Sequence, residues 1–122
     1  MTNAPGDKKL SGLSVLVVED EYFIAADVAK ALEARGAKVV GPVGTLEDAT
    51  RAVEAERIDK AVLDMNLRGN MAYAIADRLE DAGIPYVIAT GYGADILPER
   101  LRNKPRFEKP FDPETLAELI AG

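Results

Sequence analysis

Four places in the chain carry side chains that can do chemistry together: Glu19 and Asp20 after "VLVV", Asp64 after "AVL", Thr90 before Gly91, and Lys109 before Pro110. Carboxylates that approach one another repel, and each raises the pKa of its neighbours unless a cation is present. A hard divalent cation with oxygen ligands relieves that repulsion, and Mg²⁺ suits such a set. Carboxylates, a metal, a hydroxyl and a lysine together make a phosphoryl-transfer site. The chain has no cysteine and no histidine. Thiol catalysis, a Ser-His-Asp triad, a His-ligated zinc and an internal phosphohistidine donor are therefore excluded. With no serine, cysteine or histidine nucleophile among these residues, an aspartate must attack, and aspartyl phosphate is a covalent state of that type.

These residues meet only if the elements before them end at one place. Residues 13–18 form a short, valine-rich apolar run that reads as a strand buried on both faces. A helix over 21–35 follows, with Ile24, Val28 and Leu32 on one stripe and Gly36 to end it. The pattern then predicts a strand over 38–41 and a helix to residue 56 capped by Thr45. Strands over 61–63, 86–89 and 106–108 come next, with a helix over 72–82 after the first of them. Asp112 caps a last helix with Pro113 in its first turn, and Leu116, Leu119 and Ile120 are its expected buried stripe. Strands joined by helices run parallel, so the product is an α/β fold with an open, doubly wound sheet. Ligands bind beyond the carboxyl ends of such strands. Glu19, Asp20, Asp64, Thr90 and Lys109 all fall there, while the second strand contributes only Gly41 and Pro42. Between the fourth and fifth strands, Gly91, Gly93 and Pro98 leave only residues 94–97 for a helix, which is expected to be short or disordered.

A chain of 122 residues fits one domain, and 48% apolar residues suffice for one core. Residues 1–9 are polar and read as a flexible tail, with the domain over 10–122. They lack an apolar signal core, and no apolar run approaches the roughly 20 residues that span a membrane. A cytoplasmic bacterial protein is expected. The net charge of −6 argues against binding to a nucleic-acid backbone.

The runs "VLVVEDE", "VLDMNL", "ATGYG" and "EKPFDPETL" resemble the receiver domain of two-component response regulators over residues 11–121. The resemblance implies a flavodoxin-like receiver fold of five parallel strands in the order 2-1-3-4-5. It also implies Asp64 as phosphoacceptor and Asp20 as a direct Mg²⁺ ligand, with Glu19 acting through water and the Asn66 backbone carbonyl as a further ligand. Thr90 would hydrogen-bond the phosphoryl group, and Lys109 would pair with it ahead of a cis bond to Pro110. "IATGYG" resembles the FAT GUY receivers, which are often single-domain proteins served by histidine kinases of the HWE or HisKA2 type; Ile88 stands where that name has Phe. Ordinary receivers carry an aromatic residue three positions before the lysine. Here that position is Arg106, and Phe107, one residue on, points to the other face.

The implied function is a phosphorylation switch, relay or sink, taking its phosphoryl group from a kinase phosphohistidine and passing a signal to a downstream protein. It is expected to be a signalling module, not an enzyme, and a monomer or weak dimer. A Mg²⁺-dependent phosphohydrolase of the haloacid dehalogenase type is the alternative, but it needs an Asp where Asn66 stands. A receiver-like binding module without phosphate is a third reading, against which the intact set of site residues argues. With Arg106 in the aromatic position, residues 91–103 are expected to be the mobile switch, ordered by phosphorylation through Thr90 and Lys109, with Tyr92 near the phosphate. Residues 68–70 read as a mobile loop. Arg106 and Glu108 read as an exposed pair, and Tyr22 and Phe23 as packing residues.

Overall fold

The apolar run of β1 (Ser14–Val18) has no polar face. Successive side chains of a strand point to opposite sides, so such a strand is stable only when covered on both. In the computed structural model, which describes residues 9–91 and 97–122, it is covered in that way. Val15 and Val17 enter one core with Val28, Leu32, Leu116 and Ile120. Leu16 and Val18 enter the other with Ala49, Ile75, Leu79 and Leu101.

The layers are built from β1, α1 (Tyr22–Ala34), β2 (Lys38–Val43), α2 (Leu46–Ala55), β3 (Lys60–Asp64), β4 (Asn66–Leu67), β5 (Asn70–Met71), α3 (Tyr73–Asp81), β6 (Tyr86–Thr90), β7 (Arg106–Glu108) and α4 (Pro113–Ala121). β2, β1, β3, β6 and β7 form one parallel sheet in that order. This is the 2-1-3-4-5 order of a doubly wound receiver fold. α1 and α4 cover one face, and α2 and α3 the other. Arg35 at the end of α1 donates to Glu114 and Glu118 of α4 at 2.8 and 3.0 Å. The expected caps form: the Thr45 hydroxyl accepts the Asp48 N–H, and the Asp112 carboxylate accepts the Glu114 N–H.

Several expectations are corrected. The second strand does not stop at Gly41 but continues to Val43. Its register with β1 shifts between Leu16 and Val18. Gly41 adopts φ +94°, and a Cβ there would lie 2.7 Å from the Val43 nitrogen, so only glycine fits the irregularity. Residues 68–70 are no loose loop. Asn66–Leu67 and Asn70–Met71 pair as an antiparallel hairpin closed by Arg68 and Gly69, both at positive φ. The α4 stripe is Leu116, Ala117 and Ile120, because Leu119 turns outward with 46% of its surface exposed. Tyr22 and Phe23 are not packing residues: they are 77% and 79% exposed, stacked edge to face. Arg106 does not pair with Glu108; its guanidinium donates to the Arg102 carbonyl.

The expected mobile switch is narrowed from its far end. Leu97 and Leu101 are fully buried, the latter in the 3-10 turn Glu99–Leu101. Arg100 pairs with Asp77 of α3, and Lys104 with Glu80. Tyr92 and most of the expected helix at 94–97 lie outside the described residues. Leu101→Ala should destabilise the fold by about 2–4 kcal/mol, the usual loss for a buried leucine. Leu119→Ala should lose less than about 1 kcal/mol. Urea unfolding of the two variants compares them, and equal losses would contradict this packing.

Candidate functional site

Among the described residues, the buried polar side chains are Glu19, Asp64 and Thr90. All three stand at the carboxyl edge of the sheet. β1 delivers Glu19, whose backbone N–H donates to the Val43 carbonyl of β2. Asp64 is the last residue of β3, paired in register with Ala89. Thr90 ends β6, and its carbonyl accepts the Lys109 N–H at 2.8 Å. That backbone bond fixes where the lysine starts, and the Lys109–Pro110 bond that follows is cis.

The Lys109 ammonium stands between the two buried acids. It donates to Glu19 Oε2 and to Asp64 Oδ2, each at 2.9 Å, and lies 3.5 Å from Glu21 Oε2. The other Asp64 oxygen accepts the Asn66 N–H at 3.1 Å. Glu19 also accepts the Glu21 N–H at 3.0 Å. Burial pushes the Glu19 carboxyl up to about 7; hydrogen bonds from Lys109 and the Glu21 N–H oppose the shift, and the Asp64 charge adds to it. Asp64 is raised too, by burial against its hydrogen bonds from Lys109 and Asn66. Burial alone would lower the Lys109 pKa, but its bonds to Glu19 and Asp64 reverse that and keep it charged.

Glu19, Asp20 and Asp64 each offer one carboxylate oxygen, all within 4.8 Å of one another. Three hard anionic donors so close fit a small divalent cation better than they fit each other. Asp20 and Asp64 open on a cavity of about 420 Å³, also lined by Glu21, Asn66, Arg68, Gly69, Gly91 and Lys109. Asn66 lines the cavity two residues beyond Asp64. Its side-chain oxygen accepts the Gly69 N–H at 2.6 Å and so helps to close the hairpin. Tyr92 lies outside the described residues. Two charged side chains of the cavity, Glu21 and Arg68, are not marked as site residues by the sequence. Glu21 reads as the start of the first helix, where nothing marks it as reaching Lys109. Arg68 reads as part of a loop, because "RG" lacks the Asn-Gly or Asp-Gly signal of a tight hairpin.

Fold and site together define a receiver domain. Residues 15–121 match the family model of the response regulator receiver domain, and the chain belongs to that family. It is 38% identical to SdrG from Sphingomonas melonis Fr1, whose solution structure superposes with a TM-score of 0.77 over 89% of this chain and 94% of that one. It is 28% identical to the response regulator PhyR from Brucella abortus, with a TM-score of 0.76 over 97% of this chain and 50% of that one. The transcriptional regulatory protein PdtaR of Mycobacterium tuberculosis is 27% identical over 107 residues, 87% of this chain and 52% of that protein. The phyllosphere-induced regulator PhyR of Methylorubrum extorquens is 30% identical over 112 residues, 88% of this chain and 42% of that protein. The chain thus spans about half the length of the curated relatives it matches. Receiver domains belong to two-component signalling, use Mg²⁺ at an acidic pocket, and work with histidine kinases and downstream partners; the chain has such an acidic group. Among the described residues no helix is long and apolar enough to cross a membrane.

The raised pKa of Glu19 has a consequence for stability. An acid whose folded pKa exceeds its unfolded value binds more protons when folded. Its contribution is complete below the ordinary value of 4.5 and is lost as pH rises through about 7. In metal-free buffer the melting temperature should therefore fall across that window. Glu19→Gln should flatten the fall, and Mg²⁺ should offset it by engaging the carboxylates. A wild-type curve that is flat across that pH window, with and without Mg²⁺, would contradict the cluster's electrostatics.

Proposed function

We propose that Asp64 accepts a phosphoryl group from the phosphohistidine of a histidine kinase. The carrying observation is that Asp64 is buried at a strand end with one oxygen held by Lys109 and the other by the Asn66 N–H, facing an open cavity. Both bonds fix the carboxylate's orientation, so an oxygen meets an incoming phosphorus without a large rearrangement. As the Asp64 oxygen–phosphorus bond forms, the phosphorus–nitrogen bond to the partner's imidazole breaks, and its electron pair leaves with that nitrogen. Lys109 then exchanges its Asp64 contact for a phosphoryl oxygen, and Thr90 takes another. Asp20, Asp64 and the Asn66 carbonyl would hold Mg²⁺, with Glu19 acting through water. Bound there, Mg²⁺ would neutralise charge on the carboxylates and on the phosphoryl oxygens.

The chain is on this reading a cytoplasmic phosphoacceptor module, and not a turnover enzyme. Asn66 supports it, since an amide in the position after next to the nucleophile does no acid–base work on an ester. The aspartyl phosphate would serve as switch, relay or sink, with a downstream protein as its reader. A kinase of the HWE or HisKA2 type is the proposed donor, on the likeness of "IATGYG" to FAT GUY receivers.

Acetyl phosphate with Mg²⁺ should label the wild type, as read by intact-mass spectrometry. Asp64→Asn should abolish labelling while its melting temperature stays near or above that of the wild type. Labelling that persists in the variant would sink the assignment. Asp20→Ala should weaken Mg²⁺ binding by at least about tenfold, a loss that even outer-shell changes commonly cause. Turnover of small phosphate esters would favour a hydrolase instead.

A further inference from the structure

We propose that Arg68 is the positioning residue for the phosphoryl donor, holding its anionic oxygens at the mouth of the cavity before transfer. This rests on Asp64 being the acceptor. Two independent observations carry it, one of backbone and one of charge.

Arg68 has φ +54° and is the non-glycine residue in a left-handed conformation among those described. It shares the hairpin tip with Gly69 at φ +90°. A two-residue turn with positive φ at both positions favours asparagine, aspartate or glycine at the first of them. An arginine there stands against the backbone's preference. A disfavoured conformation held beside a reactive carboxylate points to a task for its side chain.

The charges around the cavity define that task. Its walls carry Asp20, Glu21 and Asp64, which repel an approaching phosphoryl anion, and two cations, Lys109 and Arg68. Lys109 is committed inside: two bonds of 2.9 Å hold it, and only 16% of its side chain is exposed. Arg68 is the opposite case, with 80% of its side chain exposed and its Nε 3.7 Å from Asp20 Oδ2. That is beyond hydrogen-bond length, so the guanidinium is held near the mouth by charge without being locked. Its planar fork matches two phosphoryl oxygens at once. The hairpin is short and tied by the Gly69 N–H to Asn66, so the fork is carried by a fixed turn two residues beyond Asn66. Contact with Asp20 also makes Arg68 a competitor of any cation that binds this carboxylate.

Arg68→Gly suits the turn and removes the fork, so a folding defect does not confound the test. Labelling rates of Asp64 are measured against acetyl phosphate concentration; the Asp64 oxygen bonds to phosphorus, and acetate leaves with the electron pair of the broken phosphorus–oxygen bond. The KM for acetyl phosphate should rise about three- to fivefold in Arg68→Gly, as for an exposed charge contact. The rate at saturation should stay within about twofold, and Arg68→Lys should recover part of the KM. Added NaCl should raise the wild-type KM and move that of Arg68→Gly less. Calorimetric Mg²⁺ affinity should be equal or tighter in Arg68→Gly, since a competing cation has left Asp20. Normal labelling with unchanged KM and unchanged salt response would overturn the role of Arg68 and leave Asp64 standing. A lower saturated rate with unchanged KM would overturn it as well. A wild type that acetyl phosphate does not label would overturn the acceptor reading itself.

Discussion

Glu19 and Asp64 are two carboxyl groups taken out of water at one edge of a sheet, with a single ammonium, Lys109, between them. Uncompensated, a buried anion pair of this kind would push the strand ends apart or stay protonated. Lys109 satisfies an oxygen of each, and its own place is set by the bond from its backbone N–H to Thr90. The rest of the molecule keeps these parts in position. β1, β3, β6 and β7 must end level for the contacts to exist, and their register depends on apolar layers on both faces. The fold therefore stabilises an arrangement that is electrostatically poor in itself. A site of that kind gains from any ligand that brings positive charge to it.

The same sheet separates what is anchored from what can respond. Leu97 and Leu101 are sunk in the core that α2 and α3 cover, and Arg100 and Lys104 tie that stretch to Asp77 and Glu80. Thr90 ends the strand before it and lies fully buried. Any displacement of Thr90 thus meets a packed stretch from Leu97 onward. β7 carries its one aromatic residue, Phe107, on the face opposite Arg106. Phe107 turns toward the α1 and α4 side and stacks on Phe111, while Arg106 reaches the Arg102 carbonyl. Alternation along a strand lets only one of the two neighbours face the site's side of the sheet.

The surface beside the site is unusual in a second way. Tyr22 and Phe23, at the start of α1, leave two stacked rings in solvent. α1 needs only Ala25, Val28, Ala31 and Leu32 for its core contacts. The helix period places residues 22 and 23 off that stripe, so packing does not claim them.

Much of this was legible in the linear chain because it follows from local periodicity. The valine-rich strands, the Thr45 and Asp112 caps and the glycine stop at 36 are each decided by neighbours a few residues away. Parallel strands then place Glu19, Asp20, Asp64, Thr90 and Lys109 at one edge, so the residues of the site could be named without coordinates. What the chain alone did not decide depends on long-range geometry. The continuation of β2 past Gly41 follows from a register shift against β1. The hairpin at 66–71 uses an Arg-Gly tip that no turn preference announces. Leu119 and the Tyr22–Phe23 pair have apolar types, but only the packed positions of their helices determine that they face water. The double grip of Lys109 on Glu19 and Asp64 joins residues 90 and 45 positions apart. Such a contact exists only after folding has desolvated both acids, which is why composition and spacing name the charges but only tertiary structure determines how they are balanced.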